Sequence, residues 1–106
     1  MKHIKTYEHI HDEIRPYLID KFVIVKPVQI TDYYLLEIKE RMINDQIMAK
    51  KLYKLRKDGS IRKSGSHDKF WISPERLKEI TIYKSNDLKK SYDVLKSIYD
   101  ANKYNL

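Results

Sequence analysis

The chain has 106 residues, enough for one compact domain with one modest core and too few for two. Apolar residues make up 42% and aromatic residues 11%, while two glycines and three prolines exclude linker and low-complexity classes. Cysteine is absent, which excludes disulfides and thiolate zinc sites, and the net charge of +7 is concentrated: residues 50–69 hold eight Lys/Arg against two Asp, leaving +1 on the other 86 residues.

No stretch approaches the roughly 20 apolar residues of a membrane span, and the N-terminus lacks the apolar region of a signal peptide. A soluble, cytoplasmic protein is expected. Ile10, Ile14, Leu18 and Phe22 recur every fourth residue and predict helix within about 6–25, with Pro16 placing the first ordered turn near Arg15. Phe22-Val23-Ile24-Val25 reads equally as a short buried strand. His9 and His11 are an i, i+2 pair, which points to different faces of a helix, so no metal site is expected.

Pro27 ends the first element, and Val28 to Thr31 alternate as a short strand. Thr31 or Asp32 then caps a helix over about 32–42, with Leu35, Ile38 and Met42 on one face. Asn44 and Asp45 can both cap the next element. Met48, Ala49, Leu52 and Leu55 stand at i, i+1, i+4 and i+7, a single helical stripe that predicts a helix over 45–57.

Asp58-Gly59 is a stop signal. Beyond it Ile61, Phe70 and Ile72 supply alternating apolar positions around a Lys63-Ser64-Gly65-Ser66-His67 tip, which predicts a hairpin over 59–73 with Trp71 half-buried at its base. Ser73-Pro74-Glu75 has the chemistry of a helix start, and Ile80 to Tyr83 read as a strand. A last helix over about 86–103 carries Leu88, Tyr92, Leu95 and Tyr99 on one stripe with Ile98 beside it.

The run Met48-x-x-x-Leu52-x-x-Leu55-x-x-x-Gly59-x-Ile61-Arg62, with Ile43 before the cap, resembles the winged helix-turn-helix domains of prokaryotic transcription regulators, matching their recognition helix, its terminating glycine and the first wing strand. The resemblance covers residues 28–73. It implies an α+β fold: a single winged-helix domain over 1–106, with a three-helix core and β-hairpin wing over about 15–73 and a C-terminal helix.

With Met48, Ala49, Leu52 and Leu55 packed inward, a helical wheel turns Gln46, Ile47, Lys50, Lys54 and Lys57 outward with Tyr53 at the edge, a face suited to a major groove. Arg62, Lys63, His67 and Lys69 crowd the ends of the wing. The resemblance therefore implies sequence-specific binding of double-stranded DNA in transcription regulation, without catalysis, cofactor or metal. Its DNA contacts would be Asn44, Gln46, Ile47, Lys50, Lys51, Tyr53, Lys54, Lys57, Arg62, Lys63, Ser64, Ser66, His67 and Lys69.

The stripe Leu88, Tyr92, Leu95 and Tyr99 is expected to pair with a second copy in a homodimer. His67-Asp68 lacks a nucleophile at recognisable spacing, so no enzyme is expected. One rival reading makes 46–57 a strand of a small β-barrel that binds RNA or protein; another keeps the winged helix as a protein-docking module. The abundance of Lys, Ile, Tyr and Asn points to an AT-rich genome, as in a virus or mobile element.

Overall fold

The computed structural model of the protein describes residues 15–28, 31–65 and 67–104. Its longest hairpin closes on a two-residue turn. Asn44 and Asp45 both have left-handed backbone, with φ of 52° and 63°, and Ile43 pairs directly with Gln46 across them. Two successive positive φ values match the right-handed twist of the flanking strands, and Asn and Asp tolerate that region. The segment is therefore a β-hairpin.

Strands β2 (Tyr33–Ile43) and β3 (Gln46–Leu55) form that hairpin, and β1 (Phe22–Val25) lies antiparallel to β2 on its other side. Strands β4 (Ile61–Lys63) and β5 (Lys69–Ile72) both pair antiparallel with β3, the first along Tyr53 to Leu55 and the second along Ile47 to Lys50. Strand β6 (Thr81–Ser85) joins β1, so the order is β4-β3-β2-β1-β6, with β5 sharing the β4 edge.

Helices lie on both sides of this sheet. On the first face, α1 (residues 15–19) contributes Tyr17, and α2 (Pro74–Ile80) contributes Leu77 and Ile80, to a core with Val23, Val25, Leu36, Ile38, Ile47, Ala49 and Ile72. On the second face, α3 (Leu88–Tyr104) sets Leu95 against Phe22, Ile24, Leu35 and Leu55, with Tyr92, Ile98 and Tyr99 packed around them. All four residues of β1 are buried because both faces are covered.

This architecture replaces the winged helix. The expected helix over 32–42 is β2, the expected recognition helix over 45–57 is β3, and a three-helix core is absent from the described residues. The expected wing over 59–73 is also not a hairpin: β4 and β5 pair with β3 and lie end to end along it.

The physical reason lies in two irregularities. Strand β2 is buried on both faces at Leu35 and Leu36, so its apolar residues form a run in place of an alternation. In β3 the register shifts by one residue at Leu52, so Leu35 pairs with Tyr53 while Leu36 pairs with Lys51. A bulge of this kind reverses which parity faces which side. Odd residues Ile47 and Ala49 face the first core, and odd residues Tyr53 and Leu55 face the second. Over ten residues the result imitates a helical stripe.

Other expectations fare differently. Phe22 to Val25 form the strand of the two alternatives, and Val28 sits in a turn where a strand was expected. Gln29 and Ile30, and the expected helix before residue 15 with His9 and His11, lie outside the described residues. Ser73 does cap α2: its Oγ accepts from the Arg76 N–H at 3.2 Å, with Pro74 following. Strand β6 and helix α3 fall close to their expected positions.

The β3–β4 turn locks onto α3. Gly59 has φ of +90°, and a Cβ there would lie 2.6 Å from Cε1 of Tyr99. A side chain at this position meets both backbone strain and an aromatic ring. Gly59→Ala is expected to lower stability by about 1–3 kcal/mol in urea unfolding. A midpoint unchanged within error would show that the turn does not depend on this contact.

Candidate nucleic-acid interface

The positive charge of residues 50–69 lies at the β4/β5 edge of the sheet, and alternation divides it between the two faces. Lys51, Lys54 and Arg62 belong to the first face, where Lys54 pairs with Arg62 across the strands. Lys54 is ion-paired with Asp32 at 3.3 Å, and the Lys51 ammonium lies 4.8 Å from the Tyr34 ring centroid and 5.5 Å from that of Phe70. Lys51 and Lys54 are thus already engaged.

The second face is different. Helix α3 covers it over Ile24, Leu35, Tyr53 and Leu55, and beyond that cover the sheet continues in two further rows. One row runs Glu37, Lys50, Lys69 and the next Lys39, Met48, Trp71, as the register of β2, β3 and β5 dictates. Met48 and Trp71 are only partly buried and belong to neither core cluster. An aromatic ring and a thioether thus stand, half-buried, on sheet that no described helix covers.

The charges around them are unbalanced. Glu37 is the one carboxylate in the two rows, and its oxygens are held by Lys39 at 2.8 Å and Lys21 at 3.9 Å. Lys50 and Lys69 are direct cross-strand partners, an arrangement that repels. Neither they nor Lys63 forms an ion pair with a carboxylate among the described residues. Lys63 stands on the same face, opposite Tyr53.

The remaining expected contacts scatter. Ile47 is fully buried in the first core and Tyr53 packs edge-on against Tyr92 at 4.9 Å, so neither is an outward contact of a helix. Asn44 and Gln46 are exposed at the hairpin tip, and Lys57 is exposed in the β3–β4 turn. Ser64 and His67 sit in the loop between β4 and β5, where the Ser64 N–H donates to the Leu52 carbonyl at 2.9 Å; Ser66 lies outside the described residues. Only Lys50, Lys63 and Lys69 of the expected set converge on the open face.

Sequence reasoning placed Trp71 at the base of a hairpin and passed over Met48 as a core residue. The alternation Lys69-x-Trp71 was the available signal, since residues two apart in a strand share a face. In the β3–β4 turn, the Ser60 hydroxyl at 2.6 Å and its N–H at 2.9 Å both donate to Asp58, holding that carboxyl below its ordinary range, with Arg56 and Arg62 adding to the effect. This contribution is present at neutral pH and is lost as pH falls through the lowered value.

Fold and site define an antiparallel sheet, helix-covered on both faces, with one basic and aromatic stretch that no described helix covers. The chain matches no protein-family model, no curated protein and no solved structure. Among the described residues no group of three metal-ligating side chains occurs, and no helix is long and apolar enough to cross a membrane.

The repulsion between Lys50 and Lys69 has a measurable consequence. Lys69→Glu is expected to stabilise the unliganded protein by about 0.2–1 kcal/mol, because a like-charge cross-strand pair becomes an opposite-charge one. The gain should shrink between 50 mM and 1 M salt in paired thermal melts. A destabilised variant at both salt concentrations would contradict the charge assignment.

Proposed function

We propose that the protein binds single-stranded nucleic acid on the open part of the second sheet face. Bases stack on Trp71 with Met48 beside it, and phosphates lie against Lys50, Lys63 and Lys69. One observation carries the reading: Trp71 and Met48 stand outside both cores, next to Lys50 and Lys69, which form no ion pair among the described residues. Every base has a π-face, so such a platform tolerates many sequences while phosphate contacts supply a salt-dependent attraction.

A duplex fits this surface poorly. Its major groove admits a helix or a two-stranded ribbon, and the protruding ribbon here is the β2–β3 tip. Residues 40–46 carry Glu40 and Asp45 against Arg41, a net charge of −1 that repels phosphate. Recognition by a helix in the groove falls with the helix itself. A cytoplasmic location and a role in nucleic-acid regulation accompany this proposal as the compartment and process in which single strands are met.

The homodimer expected through the last helix would find only part of its stripe available. Leu95 is fully buried in the chain's own core, and Tyr92 and Tyr99 pack against the same cluster. Three of the four stripe residues are taken up internally, while Leu88 stays 40% exposed.

Trp71 is the single tryptophan, so its fluorescence reports on the site alone. Titration with a single-stranded oligonucleotide is expected to quench it, and a duplex of the same sequence should bind more weakly. Three phosphate contacts predict a slope of log affinity against log salt near −2. With a labelled oligonucleotide read by anisotropy, Trp71→Ala should weaken binding about 5- to 150-fold. Tighter binding of the duplex, or affinity unchanged in both Trp71→Ala and a Lys50→Glu/Lys69→Glu variant, would refute the proposal.

A further inference from the structure

Next to this basic and aromatic stretch the sheet holds a cleft of about 340 Å³, lined by Lys50, Lys51, Leu52, Tyr53, Lys63, Ser64 and Leu88 and by no carboxylate. The bulge at Leu52 creates it. There the chain leaves β4 and rejoins at β5: Ser64 donates its N–H to the Leu52 carbonyl and the Asp68 backbone carbonyl accepts from the Lys51 N–H, both at 2.9 Å. Strand pairing along β3 is thus interrupted, and the first residue of α3 overhangs the gap.

That residue is Leu88, whose side chain is 40% exposed although it heads a helix that buries Leu95 completely. At the cleft this apolar side chain stands beside two ammonium groups that form no ion pair among the described residues, so one concave site offers both an apolar surface and positive charge. The matching chemistry has a flat apolar body and an attached anion. The volume lies at the low end of the roughly 300–1,000 Å³ found for small-molecule sites, which suits one nucleotide and excludes a longer segment.

We infer that this cleft is a nucleotide subsite, in which a base lies against Leu52 and Leu88 while its phosphate faces Lys50 and Lys63. The inference rests on the proposed single-strand binding and extends it. Met48 and Tyr53 are five residues apart along β3, on the order of 17 Å, so a strand stacked on Trp71 reaches the cleft within a few nucleotides. Lys50 serves both places.

The test uses isotope-labelled full-length protein titrated with adenosine monophosphate and followed by amide chemical shifts. Shifts at Leu52, Ser64 and Leu88 are expected in the wild type and in Trp71→Ala, and they should be lost in Leu88→Asp and in Lys63→Glu. Both substituted side chains are exposed, so an unchanged amide spectrum elsewhere certifies the fold. Each cleft variant should also weaken oligonucleotide binding about tenfold.

Shifts confined to the surroundings of Trp71, or equal in wild type and Leu88→Asp, overturn the cleft while leaving single-strand binding intact. Absence of both nucleotide shifts and oligonucleotide binding overturns the two together. Cleft shifts without any oligonucleotide binding uphold a nucleotide site and refute the strand that was to cross it.

Discussion

Between Lys51 and Tyr53, strand β3 takes one residue more than its partner β2, and the side-chain assignments of the outer sheet follow from that insertion. Before it, Ile47 and Ala49 point toward α1 and α2; after it, Tyr53 and Leu55 point toward α3. With an unbroken alternation, Lys54 would sit beneath α3 and Leu55 would leave the second core. A charge buried there without a partner would be severely destabilising. The bulge lets one strand serve two hydrophobic layers.

The same insertion shapes the surface. It interrupts the ladder on the outer edge of β3, so β4 and β5 occupy that edge end to end with a loop between them. It also divides the lysines of residues 50–69. Those on the first face are satisfied by Asp32 or by aromatic rings, whereas Lys50, Lys63 and Lys69 form no ion pair with a carboxylate among the described residues. A protein under selection for stability alone would set opposite charges across β3 and β5. Here two lysines face each other, which is the arrangement a polyanion relieves on binding.

Rigidity favours such a site. Lys50, Met48 and Trp71 project from hydrogen-bonded strands whose other face is closed by Ile47, Ala49 and Ile72 in the first core. Their spacing is therefore fixed before any ligand arrives, which reduces the ordering entropy of binding. The left-handed pair Asn44 and Asp45 holds β2 against β3, and Gly59 brings the next turn under Tyr99, so both ends of β3 are pinned.

Elements whose signals are local were legible from residue order alone: the Ser73–Pro74 helix start, strand β6, helix α3, and the concentration of cations over residues 50–69. Strands β2 and β3 were not. Leu35 and Leu36 are adjacent and both buried because helices cover both sides of the sheet, and no single-face periodicity survives that double burial. Asn44-Asp45 satisfies a helix cap and a tight hairpin equally well, and pairing with β1 and β5, distant in the chain, selects the hairpin. Which lysines face an open surface depended on the parity change at Leu52. A bulge exists only relative to the strand it opposes, so its position waited on the partner that folding brings alongside.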